Sequence, residues 1–198
     1  RRFEGSIRRS CPVSEVALAD AGVAVIAGGD LEVFDQVILA CHSDQSHDLV
    51  AGSLPGLARE LAAIRYQPNR ATLHTDVGIL APQSRAWAAW NYRIEPNSSM
   101  STVTYDLTRL MCLATKVRYL VTLNNSNRIK SDRIIRNIDY SHPVFDHAAT
   151  AAQSRLRADN GTDGIWVCGA WLGYGFHEDG MQSAVEVCRG LEVEWGAP

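Results

Sequence analysis

Two short apolar runs rich in β-branched residues stand near opposite ends of the sequence, Val37-Ile38-Leu39-Ala40-Cys41 and Ile165-Trp166-Val167-Cys168. An apolar run without polar alternation is what a strand buried on both faces of a parallel sheet requires. Between the two lie short Thr/Val/Trp/Tyr-rich segments at Ala71–Thr75, Arg85–Asn91, Ser101–Asp106 and Tyr119–Leu123, separated by turn residues. These read as a mostly antiparallel sheet. The pattern predicts a mixed α/β (α+β) fold in which one α/β domain, residues 1–52 and 141–198, is interrupted by a β-rich module over 53–140.

Local signals fill in the first domain. Val16 and Leu18, Val23–Ala27 and Leu31–Phe34 form three strands joined at Asp20-Ala21-Gly22 and Gly28-Gly29-Asp30, a β-meander. Ser43 or Asp44 is expected to cap a short helix towards Val50. Pro55 opens another, with Leu57, Leu61 and Ile64 at helical spacing. Asp146 or His147 starts a helix through about Arg157, and the last helix is expected over Gly180–Gly190. Pro143 sits in an extended segment.

Composition narrows the function classes. The 198 residues carry 19 Lys+Arg against 22 Asp+Glu, a net charge of −3, and no basic cluster suggests a nucleic-acid footprint. No apolar run approaches the roughly 18–20 residues of a membrane span, and no secretory segment opens the chain. Cys11, Cys41, Cys112, Cys168 and Cys188 form an odd set without CxxC spacing, so neither a zinc site nor a disulfide framework is indicated, and the expected compartment is a reducing cytoplasm.

The most specific segment is Cys168-Gly169-Ala170-Trp171-Leu172-Gly173-Tyr174-Gly175-Phe176-His177-Glu178-Asp179-Gly180-Met181. It reads as a strand, a loop with several glycines and a helix N-terminus. Such a start presents unpaired N–H groups and a partial positive charge of about 0.5 e, which favours an anion or an electron-rich carbonyl. An ordinary Gly-rich turn with a satisfied cap explains the same spacing equally well. The segment is neither a dinucleotide fingerprint nor a Walker loop.

This stretch closely resembles the C-terminal flavin-binding motif of FAD-dependent oxidoreductases of the amine-oxidase superfamily, and in particular a bacterial group of NAD/FAD-binding proteins. The likeness extends, in order, to Phe34–Gln45, Tyr66–Ala71, Leu73–Asp76, Ala86–Tyr92 and His142–Asp146, and so covers about residues 12–190. It implies an FAD-binding, Rossmann-like domain interrupted by a substrate domain, and transfer of a hydride from an apolar or amine substrate to flavin. It implies that Val16 contacts the adenine through its backbone, and that Gly169, Ala170 and Trp171 lie near the pyrophosphate and ribityl chain. There they replace a Gly-x-Glu, removing a carboxylate. Gly175 and Phe176 complete the loop, His177 and Glu178 face the isoalloxazine, and the backbone N–H groups of Glu178, Asp179, Gly180 and Met181 point at the flavin N1–C2=O edge.

Trp87, Trp90 and Tyr92 offer an apolar wall for a small substrate, a lipid-like one included, although core packing is the commoner role of strand aromatics. His74 and Asp76 form either an acid/base pair or a simple hydrogen-bonded pair. His42/His47 and His142/His147 lack acidic partners at metal-ligand spacing. No catalytic residue is singled out. Proteins of the resembled group begin with a strand, a Gly-x-Gly-x-x-Gly turn and a helix. The first 40 residues hold only Gly5, Gly22, Gly28 and Gly29, and the chain opens Arg1-Arg2-Phe3. The expectation is a C-terminal part whose dinucleotide-binding unit precedes Arg1 or comes from another chain, with an open edge on its first buried strand. The rival expectation is a truncated, non-catalytic product that binds FAD weakly or not at all.

Overall fold

The computed structural model describes residues 5–94 and 102–193. Two compact units emerge, one from residues 1–66 and 143–198, the other from Gln67–His142. The boundary thus falls after Tyr66, not at residue 53. The reason is packing: the helices between residues 43 and 62 lay Val50, Ala58 and Leu61 into the same core as Ala149, Ala152 and Leu156.

In the first unit, β1 (Val13–Ala19), β2 (Gly22–Ala27) and β3 (Asp30–Phe34) form the expected antiparallel meander. Then β4 (Val37–Leu39) pairs in parallel with β10 (Ile165–Val167), the two apolar runs meeting in register, Ile165 against Val37 and Val167 against Leu39. The helices α1 (Ser43–Val50), α2 (Pro55–Ala62) and α4 (His147–Ala158) follow the sequence reading closely. Helix α1 differs at its start, where His42 occupies the N-cap and Ser43 is the first helical residue. Asp146 caps α4 as expected, accepting the Ala149 N–H at 2.9 Å, and this contact first, then the Arg65 guanidinium, holds its carboxyl below the usual range.

The two edges of the β4–β10 pair differ. In a parallel ladder alternate residues bond to opposite sides. Trp166 faces β4, and Ile165 and Val167 turn their polar groups outward. There the Asn160 amide meets both: the Val167 N–H donates to Asn160 Oδ1 at 2.8 Å, and Asn160 Nδ2 donates to the Val167 carbonyl at 3.1 Å. The Gly161 N–H adds a bond to the Ile165 carbonyl at 2.9 Å. The β10 edge is closed. The β4 edge instead lines an apolar groove of about 490 Å3 with Val13, Val16, Val25, Gln45 and Leu49, and Ile38 is 46% exposed.

The second unit is one five-stranded antiparallel sheet, ordered β6 (Trp90–Arg93), β7 (Thr102–Asp106), β8 (Leu120–Leu123), β5 (Tyr66–His74, of which Gln67 onward belongs here) and β9 (Ile134–Pro143). A short helix, α3 (Leu107–Leu110), follows β7. Of the expected strand 85–91, only Trp90 onward pairs as a strand, and Ser84–Ala86 form a 3-10 turn held by the Trp87 N–H on the Ser84 carbonyl. Ser101, expected in a strand, lies outside the described residues. Strand β9 was read only as extended backbone around Pro143.

Candidate functional site

The segment after β10 folds as strand, turn and helix, but the helix begins earlier than expected. Helix α5 spans His177–Gly190, with extended Phe176 before it. The cause is Asp179, whose Oδ2 accepts the N–H groups of Tyr174 at 3.1 Å and Phe176 at 2.9 Å, folding the loop onto the first turn. Gly173 makes room for it, since a Cβ there would collide with the Asp179 carboxylate. The earlier helix start moves the free donors towards the loop. The Gly180 N–H already bonds to the Phe176 carbonyl, so Gly180 and Met181 have their amides inside the helix. The N–H groups of His177, Glu178 and Asp179 have no intrahelical partner.

The turn itself is pinned from three sides. Gln153 Nε2 donates to the carbonyls of Trp171 at 2.9 Å and Gly173 at 2.8 Å, and Arg157 reaches that of Leu172 at 3.1 Å. The Gly169 N–H donates to Ser183 Oγ at 2.9 Å, and Ser183 donates in turn to the Gly180 carbonyl. Trp171, expected near the pyrophosphate and ribityl chain, has its side chain buried in the core with Nε1 donating to the Cys41 carbonyl at 3.0 Å. A Cβ on Gly169 would strike that indole. These glycines therefore serve the protein's own packing. Gln153, Arg157 and Ser183 carry no motif and were not singled out from sequence.

What stays open is the helix start. Tyr174 is 81% exposed, Phe176 58%, and His177, Glu178 and Met181 are exposed beside the three unpaired amides, with Phe145 packed near Gly175. Neutral donors flanked by aromatic surface suit the electron-rich carbonyl edge of a flat ring. They do not suit a diphosphate, because the first turn carries Glu178 and Asp179 and no cation. The residues thus fit the ring end of a flavin. Val16, assigned to adenine, has its side chain buried in the core, on the strand at the edge of the meander. Burial raises the Cys168 thiol above its usual value, with Cys188 and Cys41 adding to the effect.

In the second unit the three expected aromatics part. Trp87 turns inward against Ile79, Leu80, Leu120 and Ile129, donating Nε1 to the Ala81 carbonyl at 2.7 Å under the Arg118 guanidinium. Trp90 and Tyr92 lie on the sheet's opposite face, 57% and 63% exposed, with Trp90 edge-on to Tyr105. His74 and Asp76 do not pair through their side chains. The Asp76 backbone N–H donates to His74 Nδ1 at 3.1 Å, and the Asp76 carboxylate, accepting from Lys130 and Gly78 N–H groups, is held below the usual range by those bonds. Among the described residues no cluster of His, Cys, Asp or Glu could hold a metal, and no helix is long and apolar enough to cross a membrane.

No protein-family profile and no curated protein matches this sequence. Solved structures do. Over 96% of the chain it is similar to UDP-galactopyranose mutase in its reduced form (TM-score 0.63, 12% identity) and to a CLA-producing fatty acid isomerase from P. acnes (0.60, 10%), in each case covering 49% of that protein. Over 91% it is similar to cyclohexylamine oxidase from Brevibacterium oxydans IH-35A (0.54, 12%), covering 48% of it. At such identities the likeness is one of fold alone, a mixed helix-and-sheet fold with antiparallel sheets. The chain spans about half the length of each of these solved structures.

Proposed function

We propose that this chain is the C-terminal portion of an FAD-dependent oxidoreductase of the amine-oxidase superfamily, acting on an apolar or amine substrate. The observation that carries the reading is the start of α5. Three unpaired N–H groups, of His177, Glu178 and Asp179, are held by a turn pinned through Asp179, Gln153 and Ser183, and flanked by exposed Tyr174 and Phe176. Those amides would hold the pyrimidine edge of the flavin, and their fixed dipoles would favour negative charge building up there. Bound there, the flavin would supply the acceptor for a hydride leaving a substrate C–H bond. Exposed Trp90 and Tyr92 would give the second unit an apolar wall for that substrate, a lipid-like molecule included.

The remaining contacts, above all those to the diphosphate, would come from a further segment or chain whose strands extend the sheet at the open β4 edge. The test is spectroscopic. The native polypeptide, purified from its source, is expected to be yellow with one FAD per chain. A colourless protein that takes up no FAD on addition overturns the assignment. Residues 1–198 alone are expected to purify colourless, and stoichiometric flavin on them would refute the half-site reading while supporting FAD itself.

A further inference from the structure

On the covered face of the second unit's sheet runs a line of buried polar side chains, unusual for an interior. His74 and Thr122 are fully buried and Thr104 is 3% exposed. The register sets Thr104 beside Thr122. His74 Nε2 lies 2.8 Å from Thr122 Oγ1, and Thr122 Oγ1 lies 2.8 Å from Thr104 Oγ1.

The direction of this chain is fixed at one end. His74 Nδ1 accepts the Asp76 N–H at 3.1 Å, so it carries no proton, and burial holds the imidazole neutral by lowering its pKa. The ring proton is then on Nε2 and is donated to Thr122. Between Thr122 and Thr104 two hydroxyl protons share one bond, and since Thr122 is fully buried while Thr104 lines a cavity, the arrangement with Thr122 donating to Thr104 leaves the spare proton where a ligand can reach it. Thr104 is thereby an acceptor towards Thr122 and keeps its own hydroxyl proton to give. Thr104 lines a cavity of about 460 Å3, walled by Ile79, Leu80, Ala81, Ala86 and Ala88 and also by Thr102 and the residues from Trp90 to Ile94, Arg93 included. Asn91, also at the wall, has its amide committed to Ala88 and Thr104 backbone groups.

We propose that this cavity is a binding site for a small aliphatic compound with one carbonyl acceptor, a ketone, ester or carboxylic acid, whose oxygen takes the Thr104 hydroxyl proton. His74 acts here as a positioning residue: it reaches the ligand only by orienting Thr122 and so Thr104. The alanines and the Ile79–Leu80 pair take the hydrocarbon body. The site is built wholly from the second unit and does not depend on flavin binding.

The test uses residues 1–198 with two probes of nearly equal shape, cyclohexanone and methylenecyclohexane, the second lacking the acceptor. Binding is read by ligand-observed NMR and by Trp87 fluorescence. The ketone is expected to bind roughly tenfold more tightly than the alkene, the scale of one neutral buried hydrogen bond. Thr104→Val, similar in shape, is expected to erase that ratio while both probes still bind, and Thr104→Ser is expected to restore it. Equal binding of the two probes to the parent chain, a ratio that survives in Thr104→Val, or binding of neither probe to a folded chain overturns the proposal.

Discussion

Replacing Asn160 by Ala tests whether the β10 edge is closed by one side chain. The substitution removes the acceptor of the Val167 N–H, 2.8 Å away, and the donor to its carbonyl, 3.1 Å away. Val167 is 2% exposed, so water reaches neither group freely. Two net hydrogen bonds lost, with part of the desolvation cost of the stranded groups, amount to about 2–4 kcal/mol. For unfolding of a unit of about 120 residues, with an entropy of roughly 2.1 cal/mol/K per residue, that lowers Tm by about 8–16 °C. Asn160→Asp keeps the acceptor and loses the donor, so it should fall between the two. Thermal melts by circular dichroism, at matched concentration, supply the measurement. A drop below about 2 °C for Asn160→Ala would refute the reasoning, because it would mean that the β10 edge is satisfied by something other than this amide.

Other outcomes follow from the same geometry. Gly173→Ala is expected to expel the Asp179 carboxylate from its two loop N–H groups, costing about 1–3 kcal/mol. Asp179→Ala should cost a similar amount, and the double variant little more than either, a non-additivity that a double-mutant cycle reads directly. His74, held neutral by burial with its pKa below the ordinary value, binds its proton more readily in the unfolded chain. Stability is therefore greatest above about pH 6.5, the unfolded value, and falls as pH drops below it, by at most about 1.4 kcal/mol per pH unit. Melts at successive pH values should show His74→Gln losing that slope, and identical slopes in the two proteins would mean that the ring is not the titrating group.

The parts of the fold legible in sequence are those where one residue pattern has one physical solution. Val37–Leu39 and Ile165–Val167 lack polar alternation, which pointed to parallel strands, and they do pair in parallel with each other, although Ile38 remains 46% exposed rather than buried on both faces. Pro55 and Asp146 marked helix starts through the missing N–H and the carboxylate cap. The start of α5 was misplaced by three residues because Asp179 works backwards, reaching into the loop across a glycine whose need for a bare Cα appears only in three dimensions. Pinning by Gln153 and Ser183 was invisible for the same reason: their partners are backbone carbonyls and amides, which leave no signature in side-chain spacing.

The second unit shows a different limit, and a consequential one. Alternation divides a strand into two faces without saying which is covered. By hydropathy, Trp90, Tyr92 and Tyr105 should lie inside and Thr72, Thr104 and Thr122 outside. The structure has the reverse: the threonines are at most 3% exposed, while Trp90 and Tyr92 stand open. Burying hydroxyls in this way is tolerable only when each has a partner, and here Asn137, His74 and neighbouring threonines provide them. Turning aromatics outward exposes apolar area that a strand could have buried at about 25 cal/mol per Å2. A sheet that forgoes that burial on one face, and spends ordered hydrogen bonds on the other, leaves aromatic surface open to contact beyond its own core. That inversion, and not the mere presence of aromatics at residues 87–92, is the observation that supports the binding role proposed for the second unit.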